Sequence, residues 1–211
     1  RALFVHRLQV ALALRERLYA APFYRLVHGE SDGLPGLVLD RYGDVVVGQI
    51  GTAGMECLKA EIVEDLEKVI APRTVLWKND SGARELEGLL SYVETAFGEP
   101  VDHVWVEENG GRFRVPIGAG QKTGWFYDQA ANRRSFLKYV NGARVLDVFS
   151  YLGAWGLSAA RAGAGEVLCV DSSAPALELL QESAAESCLE VRSQRGDAFD
   201  VLAALREAGE K

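Results

Sequence analysis

Three aspartates in the last third of the chain each lie at or just beyond the end of a short apolar segment. Asp147 lies in RVLDVF (144–149), Asp171 ends EVLCVD (166–171), and Asp197 follows the third segment. In parallel α/β sheets, ligands bind beyond the carboxyl ends of the strands, so these carboxylates are predicted to meet at one edge. The spacing therefore indicates a small-molecule site. The alternative is that each aspartate only caps the helix that follows it.

The residue types at this edge favour an adenosyl cofactor. An acid at the end of the second strand, Asp171, can accept hydrogen bonds from two ribose hydroxyls, and Asp197 can accept one from an adenine amino group. A dinucleotide site would require GxGxxG after the first strand, and DVFSYLGAWG lacks it. A pyrophosphate would also be repelled by Asp147, whereas S-adenosylmethionine carries an ammonium group and a sulfonium. The sequence thus favours S-adenosylmethionine over NAD.

A glycine-rich segment, GAGQKTGWFYDQAANRR (118–134), precedes the first of these strands. Lys122 and Thr123 resemble part of a P-loop, but the order GxxxxGK[ST] is absent. Asp128 is a candidate N-cap for the next helix. The segment is either a connector with an ordinary cap or a lid through which Phe126, Asp128 and Arg133 close the cofactor site.

The candidate cofactor site therefore draws on both regions. In it, Asp147 and Gly153 are expected to shape the methionine end, Asp171 to bind the ribose and Asp197 the adenine. The full set of candidate cofactor-binding residues is Lys122, Thr123, Phe126, Asp128, Arg133, Asp147, Phe149, Ser150, Tyr151, Gly153, Asp171, Ser172, Asp197 and Ala198. The three cysteines are widely spaced and form no CxxC or Cys/His cluster, so we expect neither a metal site nor a disulfide framework. Unpaired cysteines of this kind are typical of a reducing compartment, so we expect a cytoplasmic location.

The elements that must position these residues change rhythm along the chain. In the first part we predict helices at 7–19 and 55–70, strands at 23–28, 36–40, 45–50 and 75–78, and a hairpin at 104–117. Beyond it, helices at 128–140, 153–163, 174–187 and 197–208 alternate with strands at 144–149, 166–171 and 191–196. Such alternation predicts βαβ units and a parallel sheet. The predicted fold is α/β, with a partial doubly wound, Rossmann-like sheet in residues 116–211 behind a small α+β domain in residues 1–115.

Composition and charge narrow the possible partners. The 211 residues are 48% hydrophobic and 25% charged, the mix of a globular protein, and no apolar run is long enough to span a membrane. The net charge is −7, whereas a protein that grips nucleic acid through phosphates is expected to be basic. Residues 1–140 carry 17 basic and 19 acidic side chains, and residues 141–211 carry 6 and 11. A polyanion is therefore expected to bind the first part. Candidate surface residues for phosphate contact there are Arg41, Arg84, Arg112 and Arg114, with ordinary solvated charges as the alternative.

Five segments together give a family resemblance that covers nearly all of the chain. They are VHGESDGLPGLVLDRYGD, KNDSGARELEGL, GQKTGWFYDQAANRR, LDVFSYLGAWGLSAA and VDSS. The sequence resembles the class I S-adenosylmethionine-dependent methyltransferases of the large-subunit ribosomal RNA cytosine-5 family. The resemblance implies S-adenosylmethionine as cofactor, ribosomal RNA as substrate and methylation at cytosine C5. The alternatives are a non-catalytic RNA-binding fragment and a methyltransferase that acts on another base or on protein.

The same family implies modules that this sequence is expected to lack. Its members carry an RNA-binding PUA domain in front, and an Asp-Pro-Pro motif and a nucleophilic cysteine in a C-terminal half. We expect both to be missing here, so that the catalytic residues lie beyond residue 211. None of Cys57, Cys169 and Cys188 is expected to replace that nucleophile. The first strand of the doubly wound sheet would then expose an apolar edge. We expect another chain, such as a second copy in a homo-oligomer, or swapped material to cover it.

Overall fold

The computed structural model describes residues 2–210 and divides into two compact units. One unit runs to Val104 and also contains Pro116–Tyr127, and the other contains Trp105–Val115 and everything from Asp128 on. The chain therefore passes from one unit to the other three times. The predicted division into domains at 115/116 coincides with one of these passages and stays a prediction.

A five-stranded mixed sheet and two longer helices form the first unit. Its elements are α1 (Ala2–Leu18), β1 (Phe23–His28), β2 (Leu37–Tyr42), β3 (Val45–Ile50), α2 (Ala53–Glu56), α3 (Lys59–Ile70), β4 (Thr74–Asn79) and β5 (Tyr92–Gly98). The sheet order is β1-β2-β3-β4-β5, and only β3 and β4 pair in parallel. The strands predicted at 36–40 and 45–50 pair as the antiparallel hairpin β2–β3, with its turn at Tyr42-Gly43-Asp44.

The core of the first unit lies between this sheet and the helices α1 and α3. Alternate apolar residues of β2 and β3 are buried together with Leu8 of α1 and with Ile62 and Leu66 of α3. Gly48 in β3 makes room for the fully buried Trp77 of β4, since a Cβ at Gly48 would lie 2.2 Å from the indole ring. The apolar periodicity of α3 and the β-branched run of β3 therefore explain why this helix packs on this sheet.

The second unit contains the predicted parallel sheet. It contains most of the hairpin β6 (His103–Glu108) and β7 (Gly111–Pro116), then α4 (Ala130–Phe136), β8 (Arg144–Val148), α5 (Ala154–Arg161), β9 (Glu166–Asp171), α6 (Ala174–Glu186), β10 (Arg192–Arg195) and α7 (Ala198–Glu207). The strand order is β10-β9-β8, with both pairs parallel. The predicted Rossmann-like α/β class is confirmed. Among the described strands, β8 pairs with β9 alone, and Leu146 of β8 is 43% exposed.

The hairpin β6–β7 is fastened to α6 by charge and by one buried serine. Ser183 Oγ of α6 accepts a hydrogen bond from the backbone N–H of Arg114 at 2.8 Å. The guanidinium of Arg112 pairs with Glu186, and both Arg112 and Arg114 lie within 5.4 Å of the centre of the Trp105 ring. These contacts hold the hairpin against the sheet's helical layer.

Three elements differ from the sequence prediction. Helix α1 begins at Ala2 rather than at residue 7, and the helix predicted at 55–70 is two helices that meet at Cys57-Leu58. Strand β5 was not predicted; it forms one edge of the sheet of the first unit. Within residues 2–210, no helix is both long and apolar enough to cross a membrane.

Candidate cofactor site

The loop between β8 and α5 has an unusual backbone. Phe149, Tyr151 and Gly153 all have positive φ, at 61°, 50° and 72°. Only glycine adopts this region without strain, so the two aromatic residues each cost conformational free energy. The loop is held by a bond of 3.0 Å from Ser150 N to the Val170 carbonyl of β9. Strain of this kind concentrates at functional sites, which supports the predicted position of the site.

Asp147 lies beneath this loop and is mostly buried. Its Oδ2 accepts a hydrogen bond from the backbone N–H of Gly156 at 2.9 Å, and the Sγ of Cys169 lies 4.0 Å from the same oxygen. Burial, and secondarily the nearby carboxylate of Asp171, raises the pKa of Asp147 to about 6, although the Gly156 hydrogen bond opposes the shift. A cation beside Asp147 would therefore stabilise its ionised carboxylate, which burial destabilises.

Asp171 joins β9 to both neighbouring loops. Its Oδ2 accepts from the backbone N–H of Tyr151 at 2.7 Å, and its Oδ1 accepts from that of Ser173 at 2.9 Å. Two carboxylate oxygens offer about four acceptor positions in all, so roughly two remain for a vicinal diol. Ser172, between Asp171 and Ser173, is exposed.

Asp197 is the N-cap of α7, as the capping alternative predicts. Its side chain accepts from the backbone N–H groups of Phe199 and Asp200, at 2.8 and 3.3 Å. Ala198 is buried, whereas the Phe199 ring is 75% exposed. All three aspartates bind N–H groups at or near helix starts, so capping accounts for part of each carboxylate's hydrogen bonding. The cap leaves the second carboxylate oxygen of Asp197 as an acceptor for the predicted adenine contact.

Two further features fit an adenosyl ligand. Ser150 Oγ is buried and has no hydrogen-bond partner within residues 2–210, which is costly unless a ligand or water satisfies it. Phe149 is 71% exposed at the same strand end. An unsatisfied hydroxyl, two carboxylates and exposed aromatic rings suit a polar, cationic nucleoside with a stacking face.

The predicted lid residues fall in different units. Thr123 is fully buried in the first unit, where its Oγ1 donates to Asp40 Oδ2 at 2.5 Å and lies 3.2 Å from Tyr42 Oη. Tyr42 Oη in turn accepts from the backbone N–H of Trp125 at 3.1 Å. Thr123 therefore anchors the glycine-rich segment to β2, a role that sequence reasoning did not assign to it. The exposed Lys122 places its ammonium 4.3 Å from the centre of the Phe126 ring.

In the second unit, Arg133 is almost completely buried, while Asp128 is exposed. Arg133 forms a two-bond ion pair with Glu108 of β6, at 2.5 and 2.7 Å. This pair ties α4 to the hairpin. Contacts with a cofactor stay predictions for all five lid residues, Lys122, Thr123, Phe126, Asp128 and Arg133.

The structure also places Arg84, a candidate for phosphate contact, and the three cysteines. Arg84 was expected at the surface, and that expectation is wrong: it is 2% exposed and donates to Ile50 O, Glu56 and Leu90 O. Cys169 is fully buried and its pKa is raised by burial and then by Asp147, so it remains a thiol. Cys57 and Cys188 are exposed and unpaired.

Comparison with known proteins gives consistent matches. Residues 88–184 match the family described as S-adenosylmethionine-dependent methyltransferase. The chain is 41% identical to the ribosomal RNA large subunit methyltransferase I of Photobacterium profundum and 39% identical to that of Tolumonas auensis. These alignments cover 98% and 99% of the chain and 54% of each relative, so the chain spans about half the length of the curated relatives it matches.

Solved structures agree on the fold. A candidate S-adenosylmethionine-dependent methyltransferase from Streptococcus mutans superposes with a TM-score of 0.85 at 24% identity, covering 99% of this chain and 55% of the other. A second, at 23% identity and the same TM-score and coverage, is a candidate methyltransferase complexed with S-adenosylhomocysteine. The fold is therefore a Rossmann-like methyltransferase fold.

Proposed function

We propose that this chain contains the S-adenosylmethionine site of a methyltransferase that acts on ribosomal RNA. The observation that carries the proposal is the pair of carboxylates, Asp147 and Asp171, fixed by backbone N–H groups of one strained loop and the helices beside it. The matched family and the names of the curated relatives support the cofactor and the substrate class.

Each end of the cofactor has a matching group. The raised pKa of Asp147 favours a cation beside it, which the ammonium group of the methionine moiety provides. Asp171 keeps acceptor positions for the ribose hydroxyls, and Asp197 lies beyond the neighbouring strand for the adenine. The bound cofactor supplies a methyl group on a sulfonium, which makes it an electrophile. The residues described here hold and orient that group.

For the substrate, we propose cytosine C5 of large-subunit ribosomal RNA, in the cytoplasm. This chemistry requires a thiolate that adds to C6 of the cytosine ring and a general base that removes the C5 proton. Cys169 is unsuited to be that thiolate because it is buried and its pKa is raised. Cys169 is therefore not proposed as the nucleophile. The alternatives remain a non-catalytic RNA-binding fragment and a methyltransferase for another base or for protein.

Titration calorimetry tests the cofactor first. We expect S-adenosylmethionine and S-adenosylhomocysteine to bind the chain with micromolar Kd and NAD not to bind. Asp171→Ala should abolish binding, while Glu178→Ala, an exposed acid on α6, should not change it. Binding of NAD instead, or equal binding by Asp171→Ala, would contradict the proposal.

The substrate is tested by incubating the chain with ribosomal RNA and labelled S-adenosylmethionine, followed by mass spectrometry of the nucleosides. 5-Methylcytidine as the product would support cytosine C5. A different methylated nucleoside would overturn that specificity. Cofactor binding and RNA binding without any methylated product would favour the non-catalytic alternative for this chain.

A further inference from the structure

Asp147, Gly156 and Cys169 form a tight cluster that joins β8, α5 and β9. Asp147 and Cys169 are direct partners in the register of the two strands. The carboxylate oxygen Oδ2 of Asp147 lies 2.9 Å from the Gly156 nitrogen and 4.0 Å from the Cys169 sulfur. The cluster thus directs a backbone N–H and a thiol at the same oxygen.

Gly156 is the residue that makes this arrangement possible. A Cβ at position 156 would lie 2.3 Å from the Cys169 sulfur and 3.3 Å from Asp147 Oδ2. Any larger residue would therefore displace the thiol, the carboxylate or the helix. Cys169 itself is completely buried, so water cannot replace Asp147 as the partner of its thiol.

We propose that Cys169 is a positioning residue for Asp147: its thiol and the Gly156 amide together hold Oδ2, which leaves Oδ1 for the ammonium group of the ligand. This inference rests on the proposed function, because the ligand is S-adenosylmethionine. A thiol is a weak donor, but in a site closed to water a weak donor still lowers the cost of the charged carboxylate.

The protonation states agree with this role. Burial first, and then the Asp147 charge, raises the pKa of Cys169, so the sulfur keeps the proton that it donates. The groups that face Asp147 are the Gly156 amide of α5, the Cys169 thiol of β9 and the Asp171 carboxylate at the end of β9. Of these, only Asp171 opposes ionisation of Asp147. Loss of the thiol should therefore raise the pKa of Asp147 further.

The alternative is that Cys169 only fills space beneath the loop, and Val167 provides the matched control. Val167 is two residues earlier in β9, 3% exposed, and its Cγ1 would lie 3.2 Å from a Cβ at Gly156. Val167→Ala and Cys169→Ala both remove buried volume next to Gly156, but only Cys169→Ala removes a donor. Cys169→Ser keeps a hydroxyl donor and serves as the conservative variant.

Two measurements test the inference. The first is the carboxyl titration of Asp147 by carbon-detected NMR on the unliganded chain, compared among wild type, Cys169→Ala, Cys169→Ser and Val167→Ala. The second is the pH dependence of the Kd of S-adenosylhomocysteine by calorimetry. For Cys169→Ala we expect the Asp147 midpoint to move upward and the Kd at pH 7.5 to rise about 3- to 10-fold, as for loss of one net hydrogen bond. Val167→Ala should leave the midpoint in place, and Cys169→Ser should restore most of the binding.

The outcomes separate this inference from the proposed function. If the wild-type chain binds no S-adenosylhomocysteine, the proposed function fails, and the NMR titration still decides whether Cys169 controls Asp147. If Cys169→Ala and Val167→Ala move the midpoint and the Kd equally, or if neither moves them, Cys169 is a packing residue and the inference is overturned.

Discussion

The carboxylate of Asp171 accepts a hydrogen bond of 2.7 Å from the backbone N–H of Tyr151, so the last residue of β9 holds the loop that follows β8. Tyr151 has a φ of 50°, and this bond helps to keep its backbone in the left-handed region. The group proposed to bind the ribose is therefore also the group that shapes the neighbouring loop.

The first prediction separates these two roles of Asp171. Asp171→Asn retains a carbonyl oxygen that can accept from one backbone N–H, whereas Asp171→Ala retains none. We expect Asp171→Ala to destabilise the chain by about 1–3 kcal/mol through two unsatisfied N–H groups, and Asp171→Asn by less. Both should lose cofactor affinity. Urea unfolding and calorimetry measure the two effects, and a stable Asp171→Ala variant would contradict the role in shaping the loop.

The second prediction concerns the pH dependence of stability at Asp147. The pKa of Asp147 is about 6 in the folded chain, whereas that of an unperturbed aspartate is 3.8, so the folded state binds the proton more tightly than the unfolded state. This contribution to stability is complete below pH 3.8 and is lost as the pH rises through 6. Asp147→Asn stays neutral and should be more stable than wild type above pH 6, by at most about 3 kcal/mol.

Urea unfolding of wild type and Asp147→Asn at pH 4, 6 and 7.5 gives the test. The difference in free energy of unfolding should be smallest at pH 4 and largest at pH 7.5. A difference that stays constant over this range would show that ionisation of Asp147 is not its cause. Cofactor binding should be weakened in the same variant at pH 7.5, because the ammonium group loses its counter-charge.

The third prediction uses two glycines of nearly equal φ. Gly153 has a φ of 72° and a Cβ there would lie 2.5 Å from Leu180 Cδ1, whereas Gly142 has a φ of 70° with no heavy atom within 4 Å of its Cβ position. Gly142→Ala should cost about 1 kcal/mol of backbone strain alone. Gly153→Ala should cost about 2–4 kcal/mol because overpacking adds to the strain. Equal costs in chemical denaturation would show that Leu180 yields freely.

The fourth prediction decides the role of Thr123. Thr123→Val keeps the side-chain shape and removes the donor to the buried Asp40 carboxylate, which also pairs with Arg25 at 2.9 Å. We expect a loss of about 1–3 kcal/mol in stability and an unchanged Kd for S-adenosylhomocysteine. Thr95→Val, at a half-buried position in β5, is the control and should change neither. If Thr123→Val instead lost binding of S-adenosylhomocysteine with unchanged stability, the result would support the predicted cofactor contact of Thr123.

The sequence allowed the parallel sheet to be predicted because β8 and β9 are short, mostly apolar segments that contain an acid and alternate with helices. It did not allow β5 to be predicted, and the pairing explains why. Val75 pairs with Phe97 and Leu76 with Thr95, so one extra residue of β5 lies in a bulge. The bulge breaks the alternation on which strand prediction depends.

Helix α1 was predicted too short for a different reason. Leu8 faces the core, but Leu3, Val10 and Leu14 are exposed, so apolar residues lie on both sides of the helix and the amphipathic pattern is weak. In the candidate site, Asp147, Asp171 and Asp197 could be predicted from their spacing, and their contacts with a cofactor stay predictions. Cys169 and Gly156 could not, because their significance depends on which strand pairs with which and on a contact of side chain with backbone.

The interleaving of the two units affects how the chain can be divided. Residues 105–115 contribute Val106, Phe113 and Val115, all almost completely buried, and the Glu108 partner of Arg133. A polypeptide starting at residue 116 would lose these while retaining 116–127, a stretch grouped with the other unit. Neither residues 1–115 nor residues 116–211 are therefore expected to fold as an independent domain. A gene rearrangement that exchanged the cofactor-binding half at this point would leave both products with exposed apolar surface, which favours inheritance of the whole segment as one block.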